Sequence, residues 1–127
     1  MTQADKELLL KDLCARLPYG AKVEYNNYTC EVLSIDRFHE ELTIWKCAGT
    51  YPDANLEDCK PYLRPMSSMT GDEMCEYISL KEAIHGYNGT EFFETYESID
   101  WLNKNMFDYH NLIPMGLAND ATGKNIY

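Results

Sequence analysis

Cationic side chains are scarce in this chain: 11 lysines and arginines stand against 21 aspartates and glutamates, a formal net charge of −10 over 127 residues. A surface short of cations cannot neutralise a phosphate backbone, which sets aside direct nucleic-acid binding. That role would need a local basic face assembled from Lys22, Arg37, Lys46, Lys60 and Arg64. Histidine occurs three times, and the five cysteines (Cys14, Cys30, Cys47, Cys59 and Cys75) form an odd set, 12 to 17 residues apart, without a Cys-x-x-Cys or Cys-x-x-His pair. Neither a zinc site nor a disulfide framework is written in that spacing, and the expectation is reduced, mostly buried thiols. No stretch approaches the about 20 apolar residues of a membrane-spanning helix, and Leu8–Leu10, set between charges, is too short for a secretory signal. The expected compartment is the cytoplasm, with no membrane partner. Gly-rich phosphate loops, Gly-x-Ser-x-Gly elbows, internal repeats and low-complexity tracts are also missing.

What is present is enough apolar material for a core: 45% of residues are apolar and 13% are aromatic. That predicts one domain over residues 1–127. The charge is uneven, because residues 1–65 carry 8 basic and 11 acidic groups whereas residues 66–127 carry 3 and 10. The second half is therefore the part suited to a basic partner.

Thr2-Gln3-Ala4-Asp5 has the form of a capping box and predicts a helix, with Leu9, Leu10, Leu13, Cys14 and Leu17 on an apolar stripe and Lys6, Glu7, Lys11 and Asp12 toward water. Pro18 and Gly20 end it. From Ala21 to Leu63 the period changes to two: Val23 and Tyr25, then Tyr28, Cys30 and Val32, then Leu42 and Ile44. Asn26-Asn27 marks one turn and Asp36–Glu40 another, because Asn tolerates positive φ and Asp caps turns. A fourth strand is placed at Leu56–Cys59, after a loop ending at Asn55. The pattern predicts an α+β fold: an N-terminal helix and a small antiparallel SH3-like β-barrel or meander over residues 1–65, then a mainly helical half over residues 66–127. Lys60–Pro65 reads as a stiff link between the halves. Thr70-Gly71-Asp72-Glu73 is a second capping box, opening a helix with Met74, Tyr77, Ile78 and Leu80 inward, and Gly86 to Gly89 ends that element. Ser98 is placed as the N-cap of a third helix carrying Ile99, Trp101, Leu102 and Met106, and Asn119–Tyr127 as a loose tail.

Candidate chemistry is thin. Asp53–Asp58 has the outline of a calcium loop, but Asp58 stands where the glycine is required and Arg64 where the bidentate glutamate belongs. Asp36, His39, Glu40 and Glu41 lack a second histidine at ligand spacing, and fit a solvated hairpin tip. His110, beside Asp108 and Tyr109, reads as a surface or hydrogen-bonded histidine, and nothing local marks a cysteine as activated. No catalytic residue, metal ligand or cofactor is assigned.

Three stretches, Leu8 to Gly20, Tyr62 to Thr70 and Asp100 to Ala118, together resemble a group of small uncharacterised proteins of gut Bacteroidales genomes, their prophages and related phages. The resemblance implies a mobile-element setting and carries no mechanism; the tail Asn119–Tyr127 departs from the acidic, proline-containing ending of that group. Rings in the strand region either fill a thin core with their polar tips in water or present a binding face. The expected function is a non-enzymatic interaction module for a protein partner, with Trp45, Tyr62, Arg64, Trp101 and Tyr109 as the candidate surface. The alternatives are an acidic nucleic-acid mimic that blocks a basic host enzyme and a small Cys/His enzyme. An uncovered sheet edge would favour a homodimer.

Overall fold

A computed structural model describes residues 1–46 and 48–127. Helix α1 (Gln3–Arg16) opens on the expected capping box, Thr2 Oγ1 accepting from Asp5 N and the Asp5 carboxylate from Thr2 N. Leu9, Leu10 and Leu13 are buried, but the stripe is displaced from the expected one: Cys14 is exposed and Asp12 is wholly buried. The reason lies on the same helix. Arg16, also fully buried, donates from Nε to Asp12 Oδ2 and from Nη2 to Asp12 Oδ1, both at 2.9 Å, and from Nη2 to the Phe107 carbonyl at 2.6 Å. His110 Nδ1 lies 2.8 Å from Asp12 Oδ1. An ionised carboxylate only accepts, so Nδ1 carries the proton. The guanidinium also sits over the Tyr109 ring, 5.2 Å from its centroid. A residue that periodicity assigns to water is thus drawn inside by a cation four residues on and a histidine far along the chain.

A meander follows: β1 (Lys22–Tyr25), β2 (Tyr28–Asp36), β3 (Glu41–Lys46) and β4 (Gly49–Asn55), each antiparallel to the last. Asn26 and Asn27 take φ of 48° and 67° in the first turn, the left-handed region their short polar side chains tolerate. Asp36 Oδ1 accepts from Phe38 N and His39 N in the second. The fourth strand lies earlier than expected, and Leu56–Asp58 is a single 3-10 turn capped by Asn55. Leu56, predicted as strand, is buried at that turn.

Strand β5 (Lys60–Pro65) is the segment expected to be a linker. It pairs antiparallel with β1, and in parallel with β8 (Phe107–Asp108) and β9 (Asn119–Asp120). The sheet order is β4-β3-β2-β1-β5-β8, with β9 also on β5. This corrects the barrel: the sheet is open, because β5 pairs with β1, β8 and β9 and, among the described residues, not with β4. The tail is likewise held in place, with Ala121 N donating to Leu63 O and Tyr127 Oη to Tyr62 O.

The mainly helical second half is also corrected. Helix α2 (Gly71–Leu80) starts on the Thr70/Glu73 capping box, yet of its expected inward residues only Tyr77 is buried, Leu80 is half-buried, and Met74 and Ile78 are exposed. An antiparallel hairpin follows, β6 (Glu82–Gly86) and β7 (Gly89–Phe93), and then α3 (Tyr96–Lys104). The N-cap of α3 is Thr95, not Ser98, which serves as the third residue of that capping box. Both late helices are short, 10 and 9 residues.

The buried residues form two clusters. The larger joins Leu9, Leu10 and Leu13 to Val23, Val32, Leu42, Ile44, Leu63, Met106 and Leu112. The smaller is aromatic, Tyr77 stacking on Trp101 at 5.6 Å and Trp101 on Phe107 at 5.5 Å, with Leu102 beside them. Asp108 closes the following loop, its carboxylate accepting from Leu112 N and Ile113 N at 2.8 and 2.9 Å. Among the described residues no helix is long and apolar enough to cross a membrane.

Burial alone would raise the Asp12 carboxyl, but hydrogen bonds from His110 and Arg16 hold it below its ordinary value. A carboxyl lowered in the folded state contributes stability that is complete above its unfolded value and lost as pH falls through the folded value. Asp12→Ala, which strands Arg16 in the interior, is expected to cost about 3–5 kcal/mol in urea melts at neutral pH. The stability difference between wild type and Asp12→Asn should shrink as pH is lowered from about 6 toward about 3. A difference independent of pH would show that Asp12 is not ionised in the fold.

Candidate functional site

The hairpin Glu82–Phe93 is the most exposed regular structure in the molecule. Its sequence favours strands: Ile84 and Thr90 are β-branched and Phe92 and Phe93 aromatic, and Gly86 and Gly89 flank a two-residue turn, Tyr87-Asn88. Gly89 has φ of 115°, a conformation that a side chain at that position would strain. Directly paired residues share a face, so Glu82, Ile84, Glu91 and Phe93 occupy one side and Ala83, His85, Thr90 and Phe92 the other. All ten strand residues are exposed, and Tyr87 at the tip is fully exposed. Among the described residues β6 and β7 pair only with each other, leaving both outer edges open.

The arm is anchored at its base. Glu94 accepts from the Tyr77 hydroxyl and, at 2.7 Å, from Ser98 Oγ, and pairs with Lys81 Nζ at 3.4 Å. Thr95 Oγ1 donates to the Leu80 carbonyl at 2.7 Å. Burial would raise the Glu94 carboxyl, but Tyr77, Ser98 and Lys81 together hold it below its ordinary value. Glu94 therefore stays ionised and fixes where the arm leaves the body. Residues 71–100, which hold α2, the arm and most of α3, carry eight carboxylates and one lysine.

The five residues singled out from sequence are not one surface. Trp45, on β3, is 45% exposed and lines a shallow depression with Lys22, Tyr28, Thr29 and Glu31. Tyr62, on β5, is 7% exposed and Trp101 8%. Arg64 is half-buried, its guanidinium bridging both Glu73 carboxylate oxygens at 2.7 and 2.8 Å and lying over the Phe107 ring. That pairing holds Glu73 at about 2. Tyr109 lies on Arg16 and donates to Asn103 Oδ1 at 2.8 Å. Trp101 belongs to the smaller buried cluster and Tyr109 packs against it.

Among the described residues, those needed for other chemistries are likewise apart. A groove of about 990 Å³ between α1 and the β2–β3 turn is lined by Glu7, Leu10, Lys11, Cys14, Arg37 and Phe38 among others. The histidines lie elsewhere, His39 on Asp36, His85 on Thr90 and His110 on Asp12. Cys59 is buried, and burial pushes its thiol up to about 12; Cys75 is exposed, and Cys47 lies outside the described residues. Among the described residues no group of three His, Cys, Asp or Glu side chains gathers as a metal site. Lys46 sits among the rings of Tyr25, Tyr28 and Tyr51, Lys22 reaches the Ile126 carbonyl and Arg64 pairs with Glu73, so these cations are engaged separately.

The signal for the arm was present in sequence as Gly86-Tyr87-Asn88-Gly89 between two runs of β-formers. The two glycines read instead as the end of α2, which stops earlier, at Leu80. Glu94→Ala removes the acceptor shared by Tyr77 and Ser98 and the anion beside Lys81. Hydrogen exchange of the Glu82–Phe93 amides should then accelerate roughly tenfold while amides of β1–β3 keep their protection. Equal acceleration in both regions would show that Glu94 supports the whole fold and not the arm. No family model, no curated protein and no solved structure matches the chain.

Proposed function

We propose that the protein is a non-enzymatic interaction module, working in the cytoplasm, that engages another protein through the arm formed by β6 and β7. The observation that carries this reading is the exposure of all ten strand residues of the arm, Ile84, Phe92 and Phe93 among them. An isolated two-stranded hairpin is marginal in water, and here apolar side chains lie open on both of its faces. Met74 and Ile78 of the preceding helix are exposed as well. The resemblance to proteins of gut Bacteroidales genomes, prophages and phages supports a mobile-element or phage setting. An acidic inhibitor that imitates nucleic acid is the second reading, and it rests on the eight carboxylates of residues 71–100. Apolar residues interleaved among those carboxylates favour a protein contact with apolar content over mimicry of a phosphate backbone.

A photo-reactive phenylalanine analogue placed at Phe92, with the same analogue at the exposed Phe38 as control, tests the proposal in a Bacteroidales cell. A discrete covalent adduct with another protein at position 92 and none at position 38 is expected. No adduct, or the same adducts at both positions, would overturn it. Phe92→Asp should leave the unfolding free energy within about 0.5 kcal/mol, since the side chain is open to water.

A further inference from the structure

The arm offers more than exposed area. On the β7 side Glu91 stands between Thr90 and the pair Phe92 and Phe93, with backbone N–H and C=O groups unpaired along its outer edge among the described residues. On one face of the hairpin, carboxylates and apolar side chains alternate across the two strands: Glu82 opposite Phe93, and Ile84 opposite Glu91. An open edge of this kind is completed by an extended chain, which satisfies the backbone groups while its alternate side chains meet the two faces. A helix laid on the same face would cover the apolar residues and leave the edge unpaired.

Charge decides which extended chain. Residues 71–100 hold eight carboxylates; the one lysine, Lys81, is engaged with Glu94, and Glu73 is neutralised by Arg64. The remaining carboxylates, Glu82 and Glu91 on the arm itself among them, give the edge a negative field that a basic segment relieves. A second copy of this chain would bring the same acidic stretch, Glu91 included, to that edge, and like charges brought across paired strands are destabilising. We infer that the outer edge of β7 binds an extended basic segment of a partner protein, lysines or arginines alternating with β-branched or aromatic residues, as a third strand of the arm. This inference rests on the arm being the interaction site, and adds what it takes.

The test is a selection from a displayed library of random ten-residue peptides on the full-length protein, followed by calorimetry of the enriched peptides at low and moderate salt. Enriched peptides should alternate Lys or Arg with Val, Ile, Tyr or Phe. They should weaken by roughly tenfold on Glu91→Lys. N-methylation of alternate backbone amides should abolish their binding, as loss of a strand ladder requires. Peptides that need Phe92 and Phe93 but are neutral, acidic or indifferent to N-methylation overturn this inference and leave the interaction reading standing. Concentration-dependent dimerisation abolished by Phe92→Asp does the same, making the arm a contact between copies. Peptides that bind the Phe92→Asp/Phe93→Asp double variant as well as wild type overturn both. The melting temperature of each variant, read alongside, shows whether the fold is intact.

Discussion

The buried pairing of Asp12 with Arg16 is the constraint on which the rest of the architecture turns. Both side chains are wholly inside, and the desolvation of two charges is tolerated only where each finds several partners. Asp12 finds Arg16 and His110; Arg16 finds Asp12, the Phe107 carbonyl and the face of Tyr109. These contacts join the first helix to the segment that follows the last one. Through Phe107 the network touches the strand beside β5 and the aromatic stack that holds α2 against α3. Removing one partner would leave a charge stranded, so the network secures a long-range closure at high energetic stakes.

Strand β5 turns that closure into a sheet. Its Pro61 and Pro65 lack N–H donors, yet its remaining groups serve three neighbours: Arg64 N donates to Met106 O, and Leu63 O accepts from Ala121 N. With β1, β8 and β9 all paired to it, β5 does not pair with β4 among the described residues, and the sheet stays open. The same late strands tie down the C-terminal tail, so the first and second halves of the chain are interleaved at the centre of the fold.

Against this interleaved body the β6–β7 arm is held differently. It contributes no residue to either buried cluster and connects through the Glu94 anchor at its base. An element with few buried contacts gains little from folding on its own, and its apolar side chains are free for an external surface. The concentration of acidic groups in the same stretch gives that surface a sign. Among the described residues each histidine is committed to a neighbour of its own, His39 to Asp36, His85 to Thr90 and His110 to Asp12.

Much of the local structure was legible in the sequence. Thr2/Asp5 and Thr70/Glu73 open helices where the capping pattern puts them, Asn26-Asn27 makes the turn its backbone tolerance suits, and the period-two run from Val23 to Ile44 forms strands. Those features depend on residues within a few positions of one another. Of the candidate site, the acidic excess of the second half was plain, but the arm was read as the end of a helix, and Tyr62 and Trp101 as surface, because an aromatic residue carries no local mark of which way it faces. Asp12 turned inward only because Arg16 and the distant His110 receive it. The linker became the sheet's shared strand only because residues 107–108 and 119–120 return to its edge. Helix caps, turns and charge balance were determined by the sequence itself, since short-range sterics and composition decide them. The open sheet, the buried ion pair and the exposed arm were decided by the tertiary structure, since each depends on which remote segments compete for the same edge or the same buried charge.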